Sequence, residues 1–246
     1  MVICISPAKT FSKTCVEPKT EPLFKKEAKS LMNQLKRLDI PMLMSTMQIS
    51  EKIAQDVQSF SSSFGKSLCA AIHLYDGQAF KGLDPSSLLM DELDLLNKHL
   101  YIMSGLYGLV RPLDGISKYR LEMKSRSFMN LEHFWKPKIH HYMKLHHHDD
   151  IIFNLASEEY GKLLIGLKNV HTIRLEIQQD GKPVMDNMAI KKARGMMARH
   201  LILNHIETIH DLESIIMDGF SYQTNLSTPD ISYFIKTIEQ KNVTSK

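Results

Sequence analysis

Short apolar runs mark the strands of this chain. Residues 2–5 are apolar and residues 151–155 are apolar except for Asn154, and both runs contain β-branched side chains, which is typical of strands buried on both faces. Residues 170–179 alternate between apolar and polar positions, and Asp180-Gly181 predicts a turn into a return strand that begins at Val184-Met185. Residues 232–238 complete the set, and 241–246 are predicted to be a frayed tail. These runs predict a sheet with both buried and half-exposed strands.

Helical spacing of apolar residues fills most of the remaining chain. The pattern predicts helices over 23–38, 41–47, 50–60, 85–99 and 188–206, the last being the longest. Residues 68–74 suit either a buried strand or a short helix, and 10–22 is polar and reads as a loop. The order of these elements predicts an α/β fold of the mixed α+β kind, with helices around a mixed β-sheet.

Composition supports one globular domain over residues 1–246, although the helical span 22–65 could protrude as a subdomain. Hydrophobic residues make up 43% of the chain, and no apolar run reaches the roughly 18 residues that a membrane helix needs. The first apolar run is too short for a secretory signal, so we expect a cytoplasmic protein. Cys4, Cys15 and Cys69 are too widely spaced for a disulfide framework, and we expect reduced, mainly structural thiols.

Positive charge is concentrated in one stretch. The chain carries 31 Lys and Arg against 27 Asp and Glu, a net charge of +4. Residues 111–144 alone hold eight basic and three acidic side chains, a net of +5. A solvated basic face and a surface that attracts phosphates both fit this distribution.

The first candidate site follows the first strand. Ser6-Pro7 ends that strand, and Lys9 and Thr10 follow in the next loop. Strand ends are where mixed sheets place ligand sites, and a lysine with flanking hydroxyls suits an anion. Ser6 to Lys9 also matches the S-x-x-K signature of penicillin-recognising enzymes, but the S-D-N and K-T-G partner motifs are missing.

The second candidate is a glycine turn. Gly105 and Gly108 allow a sharp turn whose backbone N–H groups could hold phosphate oxygens, with Arg111 adding charge. The turn resembles that of helix-hairpin-helix DNA-binding elements, except that two residues separate the glycines. A purely structural glycine turn fits this pattern equally. Tyr107 and Tyr119 interleave with basic residues, as base-stacking side chains do, although core tyrosines fit equally.

Three further segments are rich in polar groups. Arg120 and Glu122 lie two apart on an extended segment, where they form either a structural pair or an oriented phosphate-binding arginine. The strand at 151–155 runs into a helix start at Ser157, the predicted N-cap. The helix at 188–206 has no clean polar face, so its cations should open onto a cleft. The candidate residues of the last two segments are Asn154, Ser157, Glu158, Tyr160, Lys162, Lys192, Arg194 and Arg199.

Histidines suggest a metal site less clearly. His146, His147 and His148 precede Asp149-Asp150, but adjacent loop residues cannot easily all reach one ion. No HExxH motif occurs. We read the segment as an exposed loop and predict neither a metal site nor a cofactor, while an iron-handling role through these histidines remains the third alternative.

Several blocks together resemble the bacterial peroxide-stress protein YaaA family over nearly the whole chain. The resemblance implies a single α/β domain in the cytoplasm and resistance to hydrogen peroxide through limits on iron-driven damage. It also implies DNA binding through a basic cleft and a helix-hairpin-helix-like element, which would lie at about 90–115 here. It implies no catalytic activity. The blocks are ISPAKT at 5–10, SGLYGLVRPLD at 104–114, YRLEM at 119–123, FW at 134–135, NLASEEY at 154–160 and KARGMMAR at 192–199.

We therefore predict a DNA-binding protein of the peroxide stress response, with sequence-tolerant, strongly salt-dependent binding. The alternative is an enzyme acting on a nucleotide, flipped base or small phosphorylated substrate, with Glu122 or Glu158 as general base. The oligomeric state stays open, and no membrane partner is expected. The predicted phosphate-binding residues are Ser6, Lys9, Thr10, Gly105, Tyr107, Gly108, Arg111, Arg120, Asn154, Ser157, Tyr160, Lys162, Lys192, Arg194 and Arg199.

Overall fold

A computed structural model describes residues 1–125 and 128–239, and within those ranges nine strands form one mixed sheet. A separate two-stranded ladder pairs β2 with β5. The strands are β1 (Val2–Ile5), β2 (Cys69–Ala70), β3 (Leu100–Ser104), β4 (Gly108–Val110), β5 (Gly115–Ile116), β6 (Ile152–Asn154), β7 (Val170–Gln179), β8 (Lys182–Val184), β9 (Ile216–Met217), β10 (Phe220–Tyr222) and β11 (Ile231–Ile238).

Helices cover the sheet and build the segment between β1 and β3. They are α1 (Lys25–Leu35), α2 (Ile40–Met47), α3 (Glu51–Ser63), α4 (Ala71–Leu74), α5 (Gln78–Leu83), α6 (Met90–His99), α7 (Leu131–His146), α8 (Glu158–Gly161) and α9 (Asn187–Leu203). Short 3₁₀ turns occupy Pro85–Ser87, Lys162–Leu164 and His210–Ser214.

The centre of the sheet is parallel. Strands β3, β1, β6, β7 and β11 lie side by side in that order and run in one direction. Every residue of β1 is at most 1% exposed, as expected for a strand covered on both faces. The chain goes from β1 to one neighbour, β3, and later returns to the other, β6. This change of direction creates a switch point at the carboxyl ends of β1 and β6, where open parallel sheets bind ligands.

Helix α9 crosses the sheet against β1 and β7 and holds α5 in very close contact. A Cβ atom added to Gly195 would lie 1.7 Å from the carbonyl oxygen of Ala79, and one added to Gly82 would lie 2.0 Å from that of Lys192. Only glycine permits this separation at the two positions. The contact brings the start of α5 beside the switch point.

Most predicted elements are confirmed. The strands at 2–5, 151–155, 170–179 and 232–238 and the hairpin at Asp180-Gly181 are present with small shifts at their ends. The ambiguous segment 68–74 contains both a strand and a short helix. The apolar faces of α1, α2 and α3 join the same core as the sheet. The frayed tail predicted at 241–246, and Arg126 of the basic stretch, lie outside the described residues.

The helix-hairpin-helix prediction is wrong for the glycine turn. Gly105 and Gly108 connect β3 to β4, which pair antiparallel from Ile102 with Val110 to Ser104 with Gly108. The turn is therefore the end of a β-hairpin. The apolar residues 100–103 continue directly from α6 into a buried strand, and the hydrophobic pattern did not reveal that change.

The prediction of three reduced cysteines is also wrong for two of them. Cys15 and Cys69 are joined by a disulfide with a Cα–Cα distance of 5.2 Å, although they are 54 residues apart in sequence. They meet because the loop after β1 runs alongside β2, where the Ala70 N–H donates to the Val16 carbonyl at 2.8 Å. Cys4 is buried in β1 and is not bridged.

Within the described ranges, no helix has both the length and the apolar character that a bilayer crossing requires.

Candidate functional site

A cavity of about 440 Å³ lies at the carboxyl ends of β1 and β6, and we call it the switch-point cavity. Its walls come from the loop after β1, the start of α5, the turn before α8 and the first half of α9. Six of the predicted site residues line it: Ser6, Lys9, Thr10, Ser157, Tyr160 and Arg194.

Hydrogen bonds between the two strand ends fix the floor of the cavity. The Ser157 N–H donates to Ser6 Oγ at 2.8 Å, and the Ser6 and Ser157 hydroxyls lie 3.1 Å apart. Beneath them, the Leu155 N–H donates to the Cys4 carbonyl at 2.9 Å. Ser157 stands at the predicted N-cap position of α8, but its side chain makes no cap hydrogen bond. Its hydroxyl is instead directed to Ser6, which links β1 to β6.

Lys9 is held at the rim by a carboxylate that also serves Arg120. Lys9 Nζ forms an ion pair with Glu122, and Arg120 Nη2 lies 3.1 Å from the other Glu122 oxygen. Arg120 Nη1 also donates to the Lys9 carbonyl at 2.9 Å. The predicted pairing of Arg120 with Glu122 is thus present in the structure. An incoming anion would have to compete with Glu122 for Lys9, and Arg120 acts on the cavity only through Lys9.

Arg194 and Lys191 approach the cavity from α9, where residues three apart share one face. Arg194 is partly buried, and burial lowers the pKa of its guanidinium from the ordinary value because desolvation penalises the charged form. An arginine keeps its charge at neutral pH even so. In residues 1–125 and 128–239, no carboxylate lies within ion-pairing distance of Arg194 or Lys191.

Tyr160 contributes an uncharged group to the wall. Burial, followed by the nearby Tyr119, Glu159 and Glu122, raises its pKa well above the ordinary tyrosine value, so the phenol stays protonated. Cationic side chains outnumber carboxylates in the lining of the cavity. The cations are Lys9, Lys124, Lys191 and Arg194, and the carboxylate is Glu159. The site is therefore suited to an anion rather than a metal cation.

Arg111 does not reach the cavity. Its guanidinium binds the carboxylate of Asp114 at 2.9 Å and the Glu21 carbonyl at 3.0 Å, and Asp114 is fully buried. Thr20 donates a further hydrogen bond to Asp114 at 2.7 Å. These contacts tie the segment after β4 to the loop before α1, and they leave Arg111 in a structural role.

The glycine turn is closed to phosphate. A Cβ on Gly105 would lie 2.3 Å from the Leu121 carbonyl oxygen, and one on Gly108 would lie 2.6 Å from the Trp135 ring. Trp135 Nε1 donates to the Gly105 carbonyl at 2.8 Å. The protein's own backbone and indole thus occupy the space that a phosphate would need.

The two tyrosines predicted to stack on bases are core residues. Tyr107 is 2% exposed, and its hydroxyl accepts the Ser117 N–H at 3.0 Å. The Tyr119 hydroxyl lies 2.7 Å from Ser104 Oγ and 2.8 Å from the Tyr75 hydroxyl, and burial raises its pKa to about 12. Neither ring is accessible to a base.

The other predicted residues lie elsewhere. Lys192 and Arg199 line a separate groove at the C-terminal end of α5, where Arg199 donates to the Leu83 and Asp84 carbonyls at 3.0 and 2.9 Å. Lys162 and Glu158 line a neighbouring cleft. Asn154 is 9% exposed, and it accepts the Ala156 N–H at 3.0 Å and donates to Thr172. The carboxylate that does line the cavity is Glu159.

One wall of the cavity and two of its cationic side chains were not predicted from the sequence. Gly77 and Gln78 line the cavity but were not among the predicted site residues, because their approach depends on the close packing of α5 against α9. Lys191 was passed over for Lys192, although its spacing of three from Arg194 places both on one helix face. Lys124 was counted only as charge.

The histidine segment is occupied by internal contacts. His147 Nδ1 lies 2.7 Å from Asp150, and its Nε2 lies 2.9 Å from the Tyr101 hydroxyl. His148 pairs with Asp149 at 2.7 Å. Over the part of the chain that the structure describes, no group of three or more His, Cys, Asp or Glu side chains is arranged to hold a metal ion.

Comparison with known proteins gives one consistent family. The family model described as peroxide stress protein YaaA matches residues 1–226. A UPF0246 protein of Clostridium beijerinckii is 36% identical and aligns with 98% of this chain and 100% of its own length. A UPF0246 protein of Flavobacterium johnsoniae is 37% identical over 92% of this chain and 96% of its own. One from Francisella tularensis subsp. novicida is 31% identical over 96% and 100%.

Proposed function

Because the chain belongs to the peroxide stress protein YaaA family, we propose that it acts in the peroxide stress response by binding DNA, with phosphate groups held in the switch-point cavity. The observation that carries the proposal is Arg194. It is a partly buried cation at the wall of the cavity, and no described carboxylate neutralises it. A buried charge is stable only with a partner, so an anionic ligand is the natural complement.

The chemistry of the walls fits a phosphodiester. Lys9, Lys124 and Lys191 supply ammonium groups, and Arg194 supplies a planar guanidinium that can bind two phosphate oxygens. Ser6 at the floor and Thr10 in the loop after β1 add hydroxyls. Because these contacts are made to the backbone of DNA, they would be tolerant of sequence. The proposed interface is smaller than the sequence predicted, since Arg111, Arg199 and the glycine turn serve internal contacts.

Binding of this kind offers a route to limiting iron-driven damage. Ferrous ions associate with DNA phosphates as counterions, and protein cations that neutralise the same phosphates release them. Peroxide would then meet less iron at the DNA. The expected result is that stoichiometric protein reduces nicking of plasmid DNA by ferrous ion and peroxide, and that the Arg194→Ala variant protects less.

Two neighbouring lysines allow a controlled binding test. Lys191 and Lys192 are both exposed on α9, but Lys191 lines the switch-point cavity and Lys192 lines the groove beyond α5. Fluorescence anisotropy with a labelled oligonucleotide, repeated over a salt series, should show that Lys191→Ala lowers affinity and reduces the salt slope by about 1. Lys192→Ala should leave both near the wild-type values.

The same titration on Arg194→Ala and Arg194→Lys separates charge from geometry. Alanine should remove most of the contribution of this side chain, and lysine should restore the salt slope but not the full affinity, because it cannot bind two oxygens. Equal losses for Lys191→Ala and Lys192→Ala would contradict the placement of DNA at the cavity.

A second candidate is an enzyme that acts on a nucleotide or flipped base. The observation that favours it is the apolar part of the lining, where Ile5, Phe80, Leu155 and Met188 lie beside the cations. A cavity of about 440 Å³ is within the usual size of small-ligand pockets. Strong thermal stabilisation by a nucleoside monophosphate that also displaces DNA would support this candidate, with Glu159 as the carboxylate nearest the ligand.

A further inference from the structure

The disulfide lies at the far end of a paired segment that leads to the switch-point cavity. Residues 10–16 and 69–76 run side by side, and we call this pair the clasp. From the cavity outward, its backbone contacts are the Asp76 N–H with the Thr10 carbonyl at 3.0 Å, the Ser12 N–H with the Leu74 carbonyl at 2.8 Å and the Ala70 N–H with the Val16 carbonyl at 2.8 Å. The Cys15–Cys69 bridge closes its outer end.

The inner end of the clasp is part of the cavity wall. The strand of the clasp that contains Thr10 continues back to Ser6, and the strand that contains Asp76 continues forward to Gly77 and Gln78. The two walls touch there, since a Cβ on Gly77 would lie 2.8 Å from the Ala8 Cβ. Within the clasp, the Phe11 and Tyr75 rings stack with centroids 5.8 Å apart. A covalent bond at the outer end therefore limits how far the two walls can separate.

We propose that Cys15 and Cys69 form a peroxide-responsive thiol pair, and that their bridged state holds the switch-point cavity in its binding geometry. Only the effect on DNA affinity rests on the proposed function. The bridge itself and its effect on the walls stand independently.

The positions of the two sulfurs assign an order to the reaction. Cys15 is exposed, so its thiol loses a proton and the thiolate attacks a peroxide oxygen. The O–O bond breaks, a sulfenic acid forms, and the departing hydroxide takes up the released proton to give one water. Cys69, which is 5% exposed, then attacks the Cys15 sulfur and releases a second water as the disulfide forms. Two thiols lose two electrons and two protons, and one peroxide becomes two waters. A dithiol reductant reverses the bridge by thiol exchange.

Cys4 provides an internal control for this reaction. It is 0% exposed, and burial raises the pKa of its thiol to about 12, so it holds its proton at neutral pH. Peroxide should convert Cys15 and Cys69 to the bridge while Cys4 remains available for alkylation after denaturation. Mass spectrometry of the alkylated protein distinguishes these thiols residue by residue.

The test compares reduced and peroxide-treated full-length protein with Cys15→Ser. Oxidation of the wild type should remove two alkylation sites and slow hydrogen exchange over 6–12 and 75–80. It should also tighten binding of the labelled oligonucleotide about threefold, which is the change expected when the cavity of the reduced protein adopts its binding geometry about a third of the time. Cys15→Ser should show none of these responses. It removes an exposed side chain, and the reduced wild type checks independently that an unbridged chain stays folded.

Three results would overturn the proposal. They are failure of peroxide to bridge the pair, a bridge that a dithiol cannot reverse, and a reversible bridge that leaves exchange over 6–12 and 75–80 unchanged. A reversible bridge that protects these walls, in a protein that binds no DNA in either state, would support the thiol pair and reject the DNA-binding function instead.

Discussion

Arg111 and Arg194 look alike in the sequence and differ completely in the fold. Both are basic residues with a glycine nearby in sequence. Arg111 binds the fully buried carboxylate of Asp114 at 2.9 Å, whereas Arg194 lines a cavity with no described carboxylate in ion-pairing range. The difference is the partner that the fold supplies. A neutralised arginine holds segments together, and an arginine without an acid is available to a ligand.

The largest expected effect is a loss of stability when the ion pair between Arg111 and Asp114 is broken. Arg111→Ala leaves Asp114 buried without its counterion, and we expect a loss of about 3 kcal/mol in the free energy of unfolding, at the lower end for buried pairs because the arginine is partly exposed. Urea denaturation measures it. Lys192→Ala, on an exposed lysine, is the control and should change stability by less than about 0.5 kcal/mol. A neutral result for Arg111→Ala would mean that water replaces the guanidinium.

In the cavity region, the contact most sensitive to substitution is the close approach of α9 to the backbone of α5. Gly195→Ala places a methyl group against the Ala79 carbonyl, which would have to move away with α5. We expect a loss of about 2–3 kcal/mol, together with weaker DNA binding as the wall at Gln78 shifts. Gly181→Ala is the control, because its Cβ meets nothing within 4 Å and only its positive φ of +72° is unfavourable. Loss of stability without loss of binding would separate α5 from the site.

The fold and the candidate site could be predicted from the sequence only in part. Hydrophobic periodicity located the strands and most helices, because apolar spacing follows directly from which face is buried. The switch-point position of Ser6 and Ser157 could be predicted too, since both follow buried parallel strands. Arg111 and Asp114 are only three residues apart, so their pairing is local. The Thr20 and Glu21 contacts around that pair, the Cys15–Cys69 bridge and the approach of α5 to α9 depend on tertiary contacts that no local pattern contains.

Adding a carboxylate to the wall of the switch-point cavity should give Arg194 a partner, as Asp114 gives one to Arg111. Gln78→Glu changes an amide of the cavity wall to a carboxylate of nearly the same shape. We expect about tenfold weaker DNA binding, or about 1.4 kcal/mol, because the new charge repels phosphate and can pair with the cavity cations. Anisotropy titration measures the change, with Gln58→Glu on the exposed face of α3 as the matched control. Equal binding by both variants would place the DNA elsewhere.

The smallest expected effect is a difference in pH dependence between the two arginines. Burial raises the pKa of Asp114 above the ordinary value, against the hydrogen bonds from Thr20 and Arg111 that lower it. A raised pKa in the folded state means that the folded protein binds the proton more tightly than the unfolded chain. This contribution to stability is therefore present at low pH and is lost as the pH rises through the folded-state pKa.

Removing Arg111 should raise the pKa of Asp114 further and widen that window. The loss caused by Arg111→Ala should then be smaller at pH 5 than at pH 8, by about 1.4 kcal/mol for each unit of additional shift in the pKa. Urea denaturation at the two pH values measures it, and an Arg111→Ala/Asp114→Asn double variant should show no such difference, because the titrating group is gone. Arg194→Ala should also show none, since it leaves no buried carboxylate behind. A pH-dependent loss in Arg194→Ala would reveal an acid that serves Arg194 and would remove the contrast between the two regions.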